Sequence, residues 1–366
     1  MGSRLFAPLA LRDLTVSNRI TVAPMCMYHA TDGVPSQFHL VHLGQFAIGG
    51  AGLIIAEATG VLPEGRITPG CPGLWSEAQE AAWANVVDFV HAESAAKIGI
   101  QLAHAGRKAS TLPPWEGSGP AQGADAWQTV GPADVPYLPT WPAPRAMTEA
   151  DIAQVVAAFA RAAQRAVRAG FDLVEIHAAH GYLLHQFLSP LTNTRRDGYG
   201  GSLEARMRFP LEVFRAVRAT VPEGMPVILR LSATDWVAGG WDVNEAVAFS
   251  AALRDLGCDL IDVSSGGLSN EQKIVTGAGY QVAFAHRIRT EARISTMAVG
   301  QITDPVQAET ILASQQADMI ALARGVLWNP HWPWHAALAL GDEISLHASY
   351  ARSHPAMRGK PFIVRK

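Results

Sequence analysis

Two histidines and a tyrosine stand within six residues of one another in His177-Ala178-Ala179-His180-Gly181-Tyr182. Histidines three apart could ligate a metal ion, but no obvious third ligand of the usual kind accompanies them. The other chemical reading is a pair of neutral imidazole N–H donors that hold a carbonyl oxygen or an oxyanion. Tyr182 would then be a proton donor close by. Core or capping histidines are the competing structural reading. Further polar residues close other apolar runs: Met25, Cys26 and Tyr28; Glu57, Ala58 and Thr59; Gln101 and His104; Arg230; Ser264-Ser265-Gly266-Gly267; Gly300; and Arg324-Gly325. Gln101 and Arg230 together suit a planar heterocycle whose edge mixes donors and acceptors. Arg230 could equally pair with Glu57 or Glu175, because a cation in an apolar setting needs an anion or acceptor. Gly300 and Arg324 suit a phosphate group, one by close backbone approach and the other as a bidentate cation, or else form a plain turn and an ion pair. Cys26 reads either as a reactive thiol or as an inert buried one. The set is poor in the clustered carboxylates that Mg²⁺ or glycoside chemistry uses.

These residues need elements to position them. Eight compact apolar runs read as strands: Arg19–Pro24, Leu53–Ala58, Lys97–Ala103, Asp172–His177, Pro226–Leu231, Asp259–Ser264, Ile294–Val299 and Asp318–Ala323. Such runs are expected of parallel strands covered on both faces. Helical patterns lie between them, near Glu77–Ala96, Thr148–Gly170, Leu203–Thr220, Asp242–Leu256, Tyr280–Glu291, Asp304–Ala313 and His331–Leu340. In the clearest, Thr148 reads as the N-cap, Asp151 completes a capping-box pair, and Gly170 suits a left-handed C-terminal position. Eight strands alternating with helices predict a single (β/α)8 TIM barrel in the α/β class. An open doubly wound sheet is the rival, but its glycine fingerprint is missing after the first strand. A barrel puts its chemistry at the carboxyl ends of its strands, where the polar residues named above fall. The chain reads as one domain over residues 1–366. Ala105–Met147, rich in Pro, Gly and Trp, reads as a lid-like excursion over that face, and residues 341–366 read as a C-terminal tail.

Length and composition agree with a globular protein. The 366 residues are 49% hydrophobic and 17% charged, too apolar for a disordered chain. Lys+Arg 29 against Asp+Glu 32 gives a net charge of −3, which offers no basic surplus for nucleic acid. No apolar run is long enough to span a bilayer, and Met1–Leu11 lacks the apolar core of a signal peptide. Cys26, Cys71 and Cys258 are scattered and odd in number, which suits a reducing cytoplasm better than a disulfide framework.

The strings together carry a resemblance. Pro24-Met25-Cys26-Met27-Tyr28, Gln101-Leu102-Ala103-His104-Ala105-Gly106-Arg107-Lys108, His177 to Leu184, Asn193 to Glu204, Ser264-Ser265-Gly266-Gly267 and Ala298-Val299-Gly300 extend over nearly the whole chain. In these the chain resembles the old yellow enzyme family of FMN-dependent ene-reductases, most closely its thermophilic-like class. The resemblance implies bound FMN, NADPH or NADH as hydride donor, and an α,β-unsaturated carbonyl substrate. It implies that Gln101 and Arg230 hold the flavin's pyrimidine edge. Pro24, Met25, Cys26 and Ala58 would line the isoalloxazine, with Cys26 tuning the flavin rather than acting as a nucleophile. Gly266, Gly267, Gly300, Ala323 and Arg324 would hold the phosphate end. His177 and His180 would bind the substrate carbonyl, Tyr182 would protonate the α-carbon, and Tyr28 would close the pocket. It also implies a homodimer or homotetramer in which an arginine near the C-terminus enters a neighbour's site, Arg352 or else Arg358. Related flavin barrels with other reactions usually carry an iron–sulfur cysteine cluster, which three scattered cysteines do not supply. A metal-dependent hydrolase built on His177 and His180 is the remaining enzymatic alternative.

Overall fold

Every strand read from the sequence takes its place in one closed parallel barrel in a computed structural model that describes residues 2–355. Arg358 and the end of the C-terminal tail lie outside the described residues. The chain opens with a hairpin, β1 (Leu9–Leu11) and β2 (Leu14–Val16). The barrel begins with β3 (Ile20–Val22), followed by α1 (Gln37–Ile48), β4 (Leu53–Gly60), α2 (Glu77–Glu93) and β5 (Lys97–Ala103). The excursion that follows holds three single 3-10 turns and a two-residue strand pair, β6 (Val130–Gly131) and β7 (Arg145–Ala146). Then come α3 (Glu149–Arg168), β8 (Leu173–Ala178), a short α4 (Leu183–Leu188), α5 (Leu203–Thr220), β9 (Val227–Ser232) and α6 (Val243–Asp255). The series ends with β10 (Ile261–Ser264), α7 (Val282–Glu291), β11 (Thr296–Ala298), α8 (Pro305–Ala313), β12 (Met319–Leu322), α9 (Arg324–Trp328) and α10 (Trp332–Leu340). Strand β12 pairs with β3 through Ile320 and Ile20, which closes the ring.

Strand alternation sorts side chains into two cores. Leu53, Ile55, Leu173, Ile228, Leu260, Met297 and Met319 point inward and fill the barrel with Leu11, Leu14 and Val16 of the hairpin, which plugs the amino-terminal end. Their neighbours along each strand, among them Ile54, Val174, Leu229 and Ile320, point outward against the helices. A strand buried on both faces has no polar side to show, and this is why each reads as a continuous apolar run.

The helix starts follow local chemistry. Thr148 Oγ1 accepts from Asp151 N at 3.2 Å while Asp151 accepts from Thr148 N at 2.7 Å, the reciprocal cap expected from sequence. Gly170 follows the last turn with φ +86°. Sequence patterning missed helices α1, α4 and α9, the β1–β2 hairpin and the short β6–β7 pair. In α1 no clear stripe stands out, because His39 and His42 are themselves buried beside Leu43 and Phe46. Gly44 lies on the face of α1 toward α2, where an added Cβ would stand 2.6 Å from Phe89 Cε1.

Candidate active site

The carboxyl end of β8 carries His177, and the chain must then reverse to bring Tyr182 back beside it. His180 and Gly181 do this in left-handed conformations, φ +58° and +73°. The loop after β10 crosses at contact distance. A Cβ on Gly181 would stand 2.3 Å from Gly267 O, and one on Gly267 would stand 2.6 Å from His180 Cα. Only glycine on both chains allows this crossing. The result is a compact aromatic group. The His177 ring lies 5.2 Å from that of His180 and 5.0 Å from that of Tyr182, both nearly perpendicular.

Hydrogen bonds fix the group from below. His177 Nδ1 accepts from Ala179 N at 3.2 Å, so the Nε2 atom of the neutral ring carries its proton. Ser232 Oγ accepts from His180 N at 2.9 Å, and His180 Nε2 lies 2.7 Å from Ser264 Oγ. His185 Nδ1 accepts from Gly181 N at 2.9 Å while its Nε2 lies 2.8 Å from Asp235, both side chains fully buried. Lys108 donates to the carbonyls of His180 and Gly267 at 2.8 Å each and lies 5.1 Å over the Tyr182 ring. Sequence reasoning assigned no role to Lys108, His185 or Asp235. Lys108 stood in a quoted string, and only the turn after β5 brings it under His180.

Burial sets the protonation of these groups. It pushes His177 and His180 well below the ordinary histidine value, helped by the nearby Arg230 cation, so both imidazoles are neutral. Burial raises Tyr182 well above the ordinary phenol value, so it keeps its proton. Burial also lowers Lys108 to about 7, with Arg107 adding to the effect. Two neutral imidazoles and one retained phenolic proton form a donor set suited to a carbonyl oxygen and the carbon beside it.

The first strand end supplies the facing wall. Tyr28 takes a left-handed conformation, φ +57°. Cys26, Tyr28 and Tyr182 pack around Ala58, Ala103 and Ala105. Glu57 accepts from Met27 N at 2.9 Å and lies 3.3 Å from His39 Nε2, which anchors this segment. The Cys26 thiol is pushed well up by burial and next by Cys71, so it is no thiolate nucleophile.

Inside the barrel, Gln101 donates to Glu175 at 2.8 Å. Of the ion-pair partners weighed for Arg230, neither Glu57 nor Glu175 is the one found. Arg230 Nε lies 2.9 Å from Asp262 Oδ2, its opposite number in the β9–β10 register. The Glu57 carboxylate is already engaged by Met27 and His39. From Arg230 a cavity of about 650 Å³ extends past Ser264 to Gly300, Ala323 and Arg324. Arg324 is exposed and has no carboxylate partner among the described residues. A planar-edge donor set at one end and a cation beside Gly300 at the other fit the two ends of FMN. Gly266 and Gly267, with φ +70° and +90°, turn the loop after β10, but they are not among the residues that line this cavity, and Gly267 packs against His180 instead.

Arg352 is not brought to this site. It lies exposed in the 3-10 turn Ala348–Ser353. That segment joins the amino-terminal side of the barrel, where His347 Nε2 lies 3.1 Å from Glu93 at the end of α2. Tyr350 stands against Trp334 of α10. Among the described residues no group of three or more His, Cys, Asp or Glu converges as a metal site, and no helix is long and apolar enough to cross a membrane.

Comparison with known proteins agrees with this chemistry. Residues 4–343 match the NADH:flavin oxidoreductase / NADH oxidase family. The chain is 44% identical to an NADPH dehydrogenase of Geobacillus sp. (strain WCH70) over 354 residues, 96% of this chain and 99% of that one. An NADPH dehydrogenase of Geobacillus thermodenitrificans (strain NG80-2) is 45% identical over the same shares of the two chains. Among solved structures, morphinone reductase superposes with a TM-score of 0.76 at 32% identity, covering 94% of this chain and 91% of that one. The old yellow enzyme homologue of Zymomonas mobilis superposes with a TM-score of 0.75 at 28% identity, covering 93% and 94%. The chain therefore belongs to the NADH:flavin oxidoreductase / NADH oxidase family, the old yellow enzymes, and is an FMN- and NAD(P)H-dependent oxidoreductase.

Proposed function

We propose that the enzyme reduces the activated C=C bond of α,β-unsaturated carbonyl compounds, with hydrogen added trans. The observation that carries this reading is the meeting of His177, His180 and Tyr182 at the mouth of the barrel, with both imidazoles neutral and the phenol protonated. His177 donates from Nε2 to the substrate carbonyl oxygen and His180 donates beside it. Their pull on the carbonyl makes the β-carbon electrophilic, which is the logic of an oxyanion hole. Tyr182 holds the proton that the α-carbon receives from the opposite face. Gln101 and Arg230 hold the pyrimidine edge of the flavin, a cation there favouring the reduced, anionic form. Pro24, Met25, Cys26 and Ala58 line its ring system, and Gly300, Ala323 and Arg324 hold its phosphate end. When bound, FMN supplies the hydride that it has taken from NAD(P)H. Tyr28 walls the substrate space. Within a cytoplasmic homodimer or homotetramer, Arg352 or Arg358 of a neighbouring copy completes it.

The test is the visible spectrum of the purified protein under anaerobic NADPH and then 2-cyclohexenone. The flavin band should bleach with NADPH and return with the enone. His177→Ala/His180→Ala should keep FMN and its bleaching while slowing the return by at least about 10³-fold, since a single donor of this kind is worth about 10²–10³. An undiminished return in that variant would sink the assignment.

A further inference from the structure

One storey above the apolar filling of the barrel, four polar side chains from consecutive strands meet. They are Gln101 on β5, Glu175 on β8, Arg230 on β9 and Asp262 on β10, with exposures of 2%, 0%, 7% and 0%. Strand register brings them together, since Gln101 stands opposite Glu175 and Arg230 opposite Asp262. Gln101 Nε2 donates to Glu175 Oε2, Arg230 Nε lies 2.9 Å from Asp262 Oδ2, and the Glu175 and Asp262 carboxyl groups act directly on each other.

The charges in this layer do not balance if both acids are ionised. Among the described residues Arg230 is the one cation paired with either acid, through Asp262, and it compensates one carboxylate. Glu175 Oε1 and both oxygens of Asp262 find no hydrogen-bond donor among the described residues, the Arg230–Asp262 contact being an ion pair. The other strands bring no charge to this layer: their inward residues include Ala23 of the chain after β3, Ile55 of β4, Met297 of β11 and Ala321 of β12. Glu57, higher on β4, is engaged by Met27 and His39. His177, next above Glu175 on β8, is neutral. A second buried anion without a partner costs several kcal/mol, and adjacent carboxyl groups avoid that cost by holding a proton between them.

We propose that Glu175 is protonated and donates to Asp262, making it the positioning residue that aims Gln101 and the Asp262–Arg230 pair at the cofactor's pyrimidine edge. The layer then carries one cation and one anion and is neutral toward the flavin. This rests on the placement of Arg230 and Gln101 at that edge given above. Burial, and then the Asp262 charge, push Glu175 well up against the opposing pull of Arg230. Loss of the shared proton at high pH would add a negative charge beneath Arg230 and make the flavin harder to reduce.

The first measurement is infrared spectroscopy of the protein as purified. It should show the carbonyl stretch of a buried protonated carboxyl near neutral pH, bleached as pH rises. The band should be absent in Glu175→Gln and shifted in Asp262→Asn. Absence of the band in the unaltered protein overturns the proposal without need of any variant. The second measurement is the flavin midpoint potential. Glu175→Gln keeps the neutral donor, so its reduction equilibrium should stay within tenfold of the parent at pH 7, which is about 30 mV for two electrons. Asp262→Asn leaves Arg230 uncompensated and should raise the equilibrium by tenfold or more. A tenfold or larger rise in Glu175→Gln would mean that Glu175 is ionised, and the proposal would fail. A protein that binds no FMN overturns the placement of the edge and leaves the infrared result to decide the proton.

Discussion

At its amino-terminal end the barrel is sealed by Leu11, Leu14 and Val16, which pack on Leu53, Leu173 and Leu260. At its carboxyl end the inward positions turn polar, first to Gln101, Glu175, Arg230 and Asp262 and then to His177 and Ser264. Positive φ at non-glycine residues occurs at both ends, since Arg12, Arg293 and Gln315 hold it on the amino-terminal side. Tyr28 and His180 hold positive φ at the rim without being glycine, a cost that persists where the surroundings over-determine it. The same eight strands thus serve two purposes. Their lower residues supply burial and hence stability. Their upper residues accept desolvation so that donors stand ready before any substrate arrives. The lesson is that changes at one end should register as stability and changes at the other as rate.

The largest expected effect breaks this division at the rim. Tyr182→Phe removes the proposed α-carbon proton source and, on that proposal, should slow enone turnover by about 10²–10⁴-fold. FMN content and melting temperature should stay near those of the parent. Both are read from steady-state rates and thermal melts, and a large loss of melting temperature would show that the tyrosine holds the rim together. The converse change lies toward the floor. Leu53→Ala, at a position with 0% exposure, should cost about 2–5 kcal/mol in denaturant unfolding while the turnover of the folded fraction stays within a few-fold.

Acid sharpens the comparison next. Burial holds His104, at the end of β5, and His42, on the outer helix α1, down to about 4 against an ordinary 6.5. Between these values the unfolded chain binds more protons than the folded one. The contribution to stability is therefore complete above 6.5 and is lost as pH falls toward 4. Melting temperature measured across that window should fall with acid, and His104→Gln should flatten part of the slope. The smallest effect is expected far from either end. Thr148→Ala removes the α3 cap and should cost about 1 kcal/mol, with kcat unchanged.

Legibility in the sequence follows the same division. The barrel strands were readable because two-sided burial leaves a local mark, an apolar run a few residues long. The β1–β2 hairpin left none: each of its strands has three residues and only one buried face. Helix α1 hid because its buried face includes two histidines. At the rim, His177, His180 and Tyr182 were visible as a contiguous string. Asp262 was not, since its partnership with Arg230 exists only across the β9–β10 register. Lys108 was likewise invisible as a support for His180, because 72 residues separate the two. Contacts made by the chain with itself at short range can be read from its order, whereas those made by register or by loop crossing need the fold.

The closure of the ring through Ile20 and Ile320 has a bearing on how the molecule is made. The barrel strand that leaves the ribosome first is completed by the one that leaves last, and the amino-terminal segment is further tied down by Glu309, which accepts from Leu5 N, and by Asp342, which accepts from Ser3 N. Until some three hundred residues have emerged, β3 has one open edge and the interior residues of both halves face water. Nascent chains must therefore wait as open, sticky crescents, and such a topology folds slowly and depends on protection from aggregation. Translation speed and chaperone supply, more than the final stability of the barrel, should govern the yield of soluble enzyme.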